Sequence, residues 1–369
     1  MKVDRIELHH VRLPLVAPFQ TSFATEHDRD ALLVMVRTPD GDGWGECVAM
    51  QTPCYSAEYL DGTVHVLREF LIPLLRKLPV LSAEAAGEAF TEVKGHPMAK
   101  AALETAILDA QLQTSGTSLA DYLAGGKEHR ERVPAGVSVG IMPSLRQLLE
   151  AVDGYLAAGY QRIKLKIQPG WDVEPVRAVR EKFGAVPLQV DANGAYTKVD
   201  AAAALKPLDE FDLLMVEQPL ADDDLWGHAE LARRLNTRIC LDESITSPAD
   251  AVTAIRMRAA AIINIKPGRV GGYLQAKRIH DICRQNDVPV WVGGMLETGV
   301  GRAANLALAS LPNFRLVGDL SASDRFFERD ITPPFVMTDG HINVPTAPGI
   351  GVKPFESVTQ DSTPVVIRF

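Results

Sequence analysis

The chain has 369 residues, 46% of them hydrophobic and 23% charged, enough apolar material for one large core or two cores sharing an interface. Its 47 acids against 38 bases give a net charge of −9, and no basic stripe with interleaved aromatics occurs, so nucleic acid and anionic membranes are disfavoured as partners. The cysteines Cys47, Cys54, Cys240 and Cys283 show no CxxC spacing, no apolar run reaches the ~18 residues of a membrane span, and the opening MKVDRIELHHVRLPL lacks a signal-peptide core; a soluble cytoplasmic protein with reduced thiols is expected.

In chain order, strand-like alternation covers Arg5–Leu13 and Ala31–Arg37, the second closed by the turn Pro39-Asp40-Gly41. Helical periodicity follows in Tyr59–Leu75 and Met98–Gln113, so residues 1–126 are expected to form an α+β domain. Short apolar runs then alternate with amphipathic helices. The expected strands are Val133–Val139, Arg162–Ile167, Pro187–Asp191, Asp212–Glu217, Arg238–Asp242, Ala261–Lys266, Val288–Gly293 and Arg315–Asp319. Helices are expected at Asp172–Phe183, at Tyr273–Asn286, and from Ser247, with Ser247 as N-cap, Pro248 at N1 and Asp250 at N3. Eight strands at a spacing of about 25 residues predict a closed α/β barrel over residues 127–320, a doubly wound open sheet being the alternative. Residues 321–369 are rich in Pro and Gly and are expected to pack back on the first domain.

One pattern recurs in five consecutive strands: Ile163-Lys164-Leu165-Lys166-Ile167, Leu188-Gln189-Val190-Asp191, Leu214-Met215-Val216-Glu217, Ile239-Cys240-Leu241-Asp242 and Ile263-Asn264-Ile265-Lys266. Residues two apart share a strand face, so each terminal charge lies on the same face as the residue two before it, while the aliphatic residues form the other face. Taken singly, the lysines read equally well as edge gatekeepers, and a lone acid at a strand end as a helix cap. Five strands ending alike favour a site instead. Charges aimed into a packed barrel cost several kcal/mol each unless paired or metal-bound, and barrel enzymes keep their sites at the C-terminal mouth.

Asp191, Glu217 and Asp242 then converge on one side of that mouth. Three carboxylates that close repel unless a cation sits between them, and all-oxygen ligation suits Mg²⁺ or Mn²⁺ better than Zn²⁺. Strands two and six are diametrically opposed in an eight-stranded barrel, so Lys166 and Lys266 flank a substrate whose carboxylate is held by the metal. Two bases on opposite faces of one carbon suit racemisation, and one base suits elimination. To act near neutrality the lysines need pKa values well below the reference of roughly 10.4, an effect expected from desolvation, Lys164 and the metal.

These residues resemble the enolase superfamily in its muconate-lactonizing subgroup. Lys164-Leu165-Lys166 resembles its KxK motif, Val190-Asp191-Ala192-Asn193, Val216-Glu217-Gln218-Pro219 and Leu241-Asp242-Glu243-Ser244 its metal-ligand strands, and Ile265-Lys266-Pro267-Gly268-Arg269 its opposing base. The resemblance implies a barrel of modified (β/α)7β type with an N-terminal α+β capping domain. Within the subgroup the o-succinylbenzoate synthase and N-acylamino acid racemase branch is most similar, through Pro18-Phe19-Gln20-Thr21-Ser22-Phe23, Gly43-Trp44-Gly45-Glu46-Cys47, Gly293-Gly294-Met295-Leu296-Glu297-Thr298-Gly299 and Ser321-Ala322-Ser323-Asp324.

That branch implies Lys166 as main base, Lys164 as its electrostatic helper, Lys266 as opposite base or as a cation–π partner of the intermediate, and Arg269 behind Lys266. It also implies Phe19, Phe23, Met50 and Tyr55 closing over a succinyl end, with Asn193, Ser138 and Glu297 near substrate or ligands. Phe19 and Phe23 as a mere seal of the domain interface is the competing reading. The implied reactions are the dehydration that yields o-succinylbenzoate, a menaquinone step, and racemisation of N-acyl, especially N-succinyl, amino acids, on small carboxylates and in a homo-oligomer. Dipeptide epimerase is disfavoured because Asp319-Leu320-Ser321 lacks the second acid of that group's Asp-x-Asp, and muconate cycloisomerase because of the succinyl-branch stretches.

Overall fold

A computed structural model describes all 369 residues. Strands β1 (Arg5–Gln20), β2 (Thr25–Thr38) and β3 (Gly41–Cys47) form an antiparallel sheet. β1 and β2 run well past the apolar runs that announced them. Pairing resumes beyond an irregularity between Pro14 and Phe19, where Phe19 faces Glu26 across the strands. The hairpin tip this creates hangs over the barrel: Ser22 Oγ donates to the Ala192 carbonyl at 3.1 Å and Ile141 N to the Gln20 carbonyl at 2.9 Å.

The sheet's other support is the helix Pro97–Ser115, which presents buried alanines to β3. Contact is close because Gly43 and Gly45 lack side chains. A Cβ on either would stand 2.1 Å from a helix carbonyl oxygen, Ala106 and Ala102 respectively.

β4 (Arg132–Pro134) precedes seven parallel strands: β5 (Gly136–Val139), β6 (Arg162–Lys166), β7 (Leu188–Asp191), β8 (Val216–Glu217), β9 (Ile239–Leu241), β10 (Ile262–Ile265) and β11 (Val290–Val292). They hydrogen-bond in sequential order, as a barrel of βα units requires. The expected helices are present at Val173–Phe183 and Tyr273–Gln285, and Ser247 Oγ accepts from Asp250 N to cap Pro248–Met257.

Three expectations need correction. Arg315–Asp319 does not form an eighth ladder strand: the barrel closes through a single bridge between Ala135 and Gly318 and through Asp319 N donating to Val292 O at 2.8 Å. The Arg162 guanidinium takes the Val317 carbonyl at 3.0 Å, an acceptor that a strand neighbour would otherwise use. Asp212–Glu217 contracts to Val216–Glu217, since Asp212 adopts a left-handed conformation at the end of the preceding turn. Val133–Val139 breaks at Ala135, because β4 pairs not with the barrel but with the C-terminal segment, as part of β12 (Met337–Thr338) and β13 (His341–Asn343).

The chain then returns to the first sheet, where β14 (Val365–Arg368) pairs antiparallel with the start of β1. Aliphatic residues of the barrel strands such as Ile163, Leu165, Val190, Leu241 and Ile265 face outward into the main core. Inside the barrel lies a separate plug of Met215, Cys240, Ile262 and Trp291. All four cysteines are free, Cys54 alone being exposed, and no helix is long and apolar enough to cross a membrane.

Candidate active site

The alternation read from the sequence places Lys164, Lys166, Gln189, Asp191, Glu217, Asp242, Asn264 and Lys266 in the buried interior. Ligand oxygens of Asp191, Glu217 and Asp242 lie within 4.8 Å of one another, and all three side chains are wholly buried. Three carboxylates with no His or Cys among them match the donor set of a hard divalent cation. The residues fit such an ion.

Each triad member is also gripped by cations of the chain. Lys166 Nζ is 2.6 Å from Asp191 Oδ2 and 2.6 Å from Asn193 Oδ1. Lys164 Nζ is 3.2 Å from Asp191, 3.1 Å from Glu217 and 2.5 Å from Asp319. Lys266 Nζ is 2.8 Å from Asp242, and Arg269 also bonds Asp242. Strands β6 and β10 stand four apart in the sheet, so Lys166 and Lys266 approach the triad from different strands and through different acids.

Loop residues fix the acids. Gln218, with φ of 36° in the left-handed region, accepts from Asp242 N at 3.0 Å and Ser244 N at 3.3 Å, and donates to Ser244 Oγ at 2.8 Å. Such a conformation in a non-glycine residue costs on the order of 1 kcal/mol and holds only where its surroundings enforce it. Asn264 donates to Glu217 Oε1 at 2.6 Å, leaving the other oxygen to Lys164.

Carboxylates dominate the electrostatics around Lys164 and Lys266. Burial alone lowers the pKa of Lys164, but Asp319, Glu217 and Asp191 together raise it above the ordinary lysine range. Lys266 is likewise pushed down by burial and held up overall by Tyr55, Glu243, Glu217 and Asp191. The lowering expected for the bases includes the charge of a bound cation, which would oppose these carboxylates. Burial works to raise Asp191, yet Lys166 and Lys164 hold it below its ordinary range, while burial and the Asp191 charge raise Glu217.

One cavity gathers ten of the sequence-selected residues, while Arg269 and the acid triad lie outside its lining. Phe19, Phe23, Met50, Tyr55, Ser138, Lys164, Lys166, Asn193, Lys266 and Glu297 all line it. Phe19 does more than seal the domain interface: it stands edge-on to Phe326 at 6.1 Å and still faces the cavity. Tyr55 lines this cavity and also contacts Lys266. Its hydroxyl receives a hydrogen bond from Lys266 at 3.2 Å, its ring centroid lies 4.9 Å from Nζ, and Arg269 reaches the same hydroxyl at 3.4 Å. Glu297 accepts from Met295 N and Asn305 Nδ2, each at 2.9 Å, and Ser138 Oγ is buried without a partner.

Sequence reasoning missed Glu243, which accepts from Asn193 Nδ2 at 2.7 Å, and Trp291, whose ring lies 4.8 Å from Lys164 Nζ. Glu243 falls outside the strand alternation, and nothing near Trp291 in sequence marks it as a neighbour of Lys164.

Fold and site together define a capped (β/α) barrel enzyme with a carboxylate triad and opposed lysines at one mouth. The sequence matches the mandelate racemase / muconate lactonizing enzyme N-terminal domain over residues 5–124 and the enolase C-terminal domain-like family over residues 147–358. The chain belongs to the enolase superfamily. An N-succinylamino acid racemase of Amycolatopsis sp is 58% identical over 98% of this chain and 98% of its own length. An o-succinylbenzoate synthase of Geobacillus kaustophilus is 50% identical over 95% of this chain and 93% of its own. The crystal structure of an enolase superfamily member from Listeria innocua superposes with a TM-score of 0.94 at 40% identity, covering 100% of this chain and 99% of that one.

Proposed function

We propose that this enzyme abstracts the proton α to a carboxylate with Mg²⁺ or Mn²⁺ as cofactor, acting as an o-succinylbenzoate synthase and as a racemase of N-acyl, chiefly N-succinyl, amino acids. The observation that carries the reading is the arrival of Lys166 and Lys266 in one cavity, each on a different carboxylate of the triad.

Asp191, Glu217 and Asp242 would hold the cation. When bound, it supplies positive charge that offsets the carboxylate field holding Lys164 and Lys266 protonated and that attracts the charge developing on the substrate carboxylate. Lys166 takes the α-proton from one face, and Lys266 returns one from the other, inverting the centre. In the dehydration, Lys166 removes the α-proton and, as the ammonium so formed, protonates the departing hydroxyl so that it leaves as water, while Lys266 stays a cation against the forming ring system. Lys164 remains a fixed positive charge beside Lys166. Asn193 orients Lys166, and Arg269 orients Lys266 through Asp242 and Tyr55. Phe19, Phe23 and Met50 wall the acyl end, with Ser138 and Glu297 contributing polar contacts.

The names of the two relatives support this dual reading, and a dedicated racemase is the alternative. A dipeptide epimerase fits poorly, because Asp319-Leu320-Ser321 lacks the second acid that would join Asp319 in gripping a substrate ammonium. The substrate is a small carboxylate, and the enzyme works in the cytoplasm as a homo-oligomer. Comparing kcat/KM on 2-succinyl-6-hydroxy-2,4-cyclohexadiene-1-carboxylate and on N-succinyl amino acids with Mg²⁺ present tests the assignment. Activity on both is expected, racemisation alone selects the alternative, and activity on neither sinks the branch.

A further inference from the structure

We propose that Asp319 is the positioning residue for Lys164, clamping that amine from outside the metal triad so that it works selectively on the Lys166 side of the site.

Two lysines share the inner face of β6, and only Lys164 is held by an acid outside the metal triad. Lys166 contacts Asp191 and Asn193. Lys164 contacts Asp191 and Glu217, and in addition Asp319 Oδ2 at 2.5 Å. Asp191 and Glu217 belong to the triad, so their oxygens are the ones a cation would claim. Asp319 stands outside the triad, and its hold on Lys164 does not compete with the cofactor.

Asp319 is itself immobilised. Its Oδ1 receives Arg162 Nη2 at 2.8 Å, and Arg162 is anchored on the Val137 carbonyl at 3.1 Å and the Val317 carbonyl at 3.0 Å. Arg162 fits only because Gly136 has no side chain; a Cβ there would stand 2.7 Å from Nη2. Below both cations the Trp291 ring forms a floor, 4.8 Å from Lys164 Nζ and 5.5 Å from Arg162 Cζ. The Trp291 indole N–H is fixed in turn by Cys240 Sγ at 3.3 Å. Asp319 thus sits at the seam where the barrel closes without an eighth ladder strand, and it converts that seam into a clamp on Lys164. The backbone supports it through Asp319 N on Val292 O at 2.8 Å.

The inference rests on the proposed α-proton chemistry and predicts an asymmetry. Lys164 lies two residues from Lys166 on one strand face, whereas Lys266 is reached from β10. Loosening Lys164 therefore slows exchange through Lys166 and spares exchange through Lys266. The test is α-proton exchange into deuterium oxide, followed by NMR, for each enantiomer of an N-succinyl amino acid with Mg²⁺ present. Asp319→Asn keeps the shape and removes the charge. Expected is a loss of at least tenfold in exchange for one enantiomer relative to the other, with Mn²⁺ affinity, read by calorimetry, within threefold of the unmodified enzyme.

Equal slowing of both enantiomers, no slowing, or a parallel loss of Mn²⁺ affinity overturns the proposal. If the asparagine variant does not fold, Asp319→Glu restores the charge with a displaced carboxylate, and the same selective slowing, smaller in size, is expected; its absence overturns the proposal equally. An unmodified enzyme that exchanges neither enantiomer would instead defeat the proposed function, so the two failures are distinguishable.

Discussion

Lys266 Nζ lies 2.8 Å from Asp242 Oδ2, so the second amine is placed by an acid at the end of β9 as much as by its own strand. Lys166 has the matching relationship with Asp191, at the end of β7. The two candidate bases are therefore fixed by opposite ends of the acid triad, and their loss should separate cleanly.

Replacing Lys166 by Ala should abolish α-proton exchange for one enantiomer of an N-succinyl amino acid, and Lys266→Ala for the other. Racemisation should fall in both by at least the 10²–10⁴-fold that a positioned general base contributes. Exchange of each enantiomer in deuterium oxide, measured by NMR, checks this. Unchanged exchange in both variants would dispose of the two-base scheme.

Gly293 follows β11 at the edge of the same site. A Cβ added there would stand 2.4 Å from Asn264 Oδ1 and 2.7 Å from Lys266 Cε. Lys266 must move to make room, and Asn264, which holds Glu217, moves with it. Gly293→Ala is expected to lower kcat by roughly tenfold or more while the protein stays folded, since a 1 Å misplacement of a reacting group can cost about 10². Wild-type turnover in a folded variant would mean that the amine has slack the distances do not suggest.

Much of this site was legible because a strand repeats every two residues. A charge ending strand after strand, with aliphatic residues on the opposite face, admits one placement inside a barrel, and Lys166, Asp191, Glu217 and Lys266 occupy it. The fold was legible for the same reason, apart from its closure. Arg315–Asp319 carries the apolar pattern of a strand, but whether it joins a ladder depends on Arg162, some 150 residues earlier, taking its Val317 carbonyl. Asp319 and Trp291 were invisible as partners of Lys164 on similar grounds: their roles exist only once distant strands meet. How closely carboxylates pack around Lys164 and Lys266 was not legible, because it is a three-dimensional quantity. The contact of Tyr55 with Lys266 was not legible, since a loop's reach is not periodic.

The acid triad predicts linkage between metal and stability. A cation that binds the folded state alone stabilises it by about 2.7 kcal/mol at a concentration 100 times its dissociation constant. Raising Mg²⁺ or Mn²⁺ should therefore raise Tm progressively, and a chelator should remove both that increment and the activity. In Asp242→Asn the increment should shrink markedly, because one of three anionic ligands is gone. Activity that survives exhaustive chelation would contradict a metal-dependent reaction.

The contact between cap and barrel can be tested at β3. Gly45→Ala drives a methyl group into the Ala102 carbonyl of a rigid helix, 2.1 Å from an ideal Cβ, and neither backbone can yield without disturbing the sheet. Overpacking of this kind costs at least the usual 1–3 kcal/mol. A clear fall in Tm or loss of soluble protein is expected. Gly87→Ala, whose Cβ meets nothing within 4 Å and whose φ lies outside the left-handed region, controls for the substitution without the clash. If the Gly45 variant is no less stable than the Gly87 variant, the close approach of strand and helix is not what the geometry implies.

Glu104 supplies the pH dependence. It lies on the cap helix Pro97–Ser115, is almost wholly buried, and accepts from Leu274 N at 3.1 Å at the start of a barrel helix. Burial pushes its carboxyl from an ordinary value of 4.5 up to about 8, against backbone hydrogen bonds that favour the ionised form. Because the folded protein holds this proton more tightly than the unfolded chain, the contribution of Glu104 to stability is fully present below pH 4.5 and is lost as pH rises through about 8. Glu104→Gln keeps an acceptor for Leu274 N and removes the titration. The stability of the native protein relative to this variant should decline across that window by roughly 1.4 kcal/mol per pH unit, leaving the variant the more stable above pH 8. Chemical denaturation of both proteins at intervals between pH 4 and pH 9 measures the difference; parallel curves would show that Glu104 keeps a normal carboxyl despite its burial.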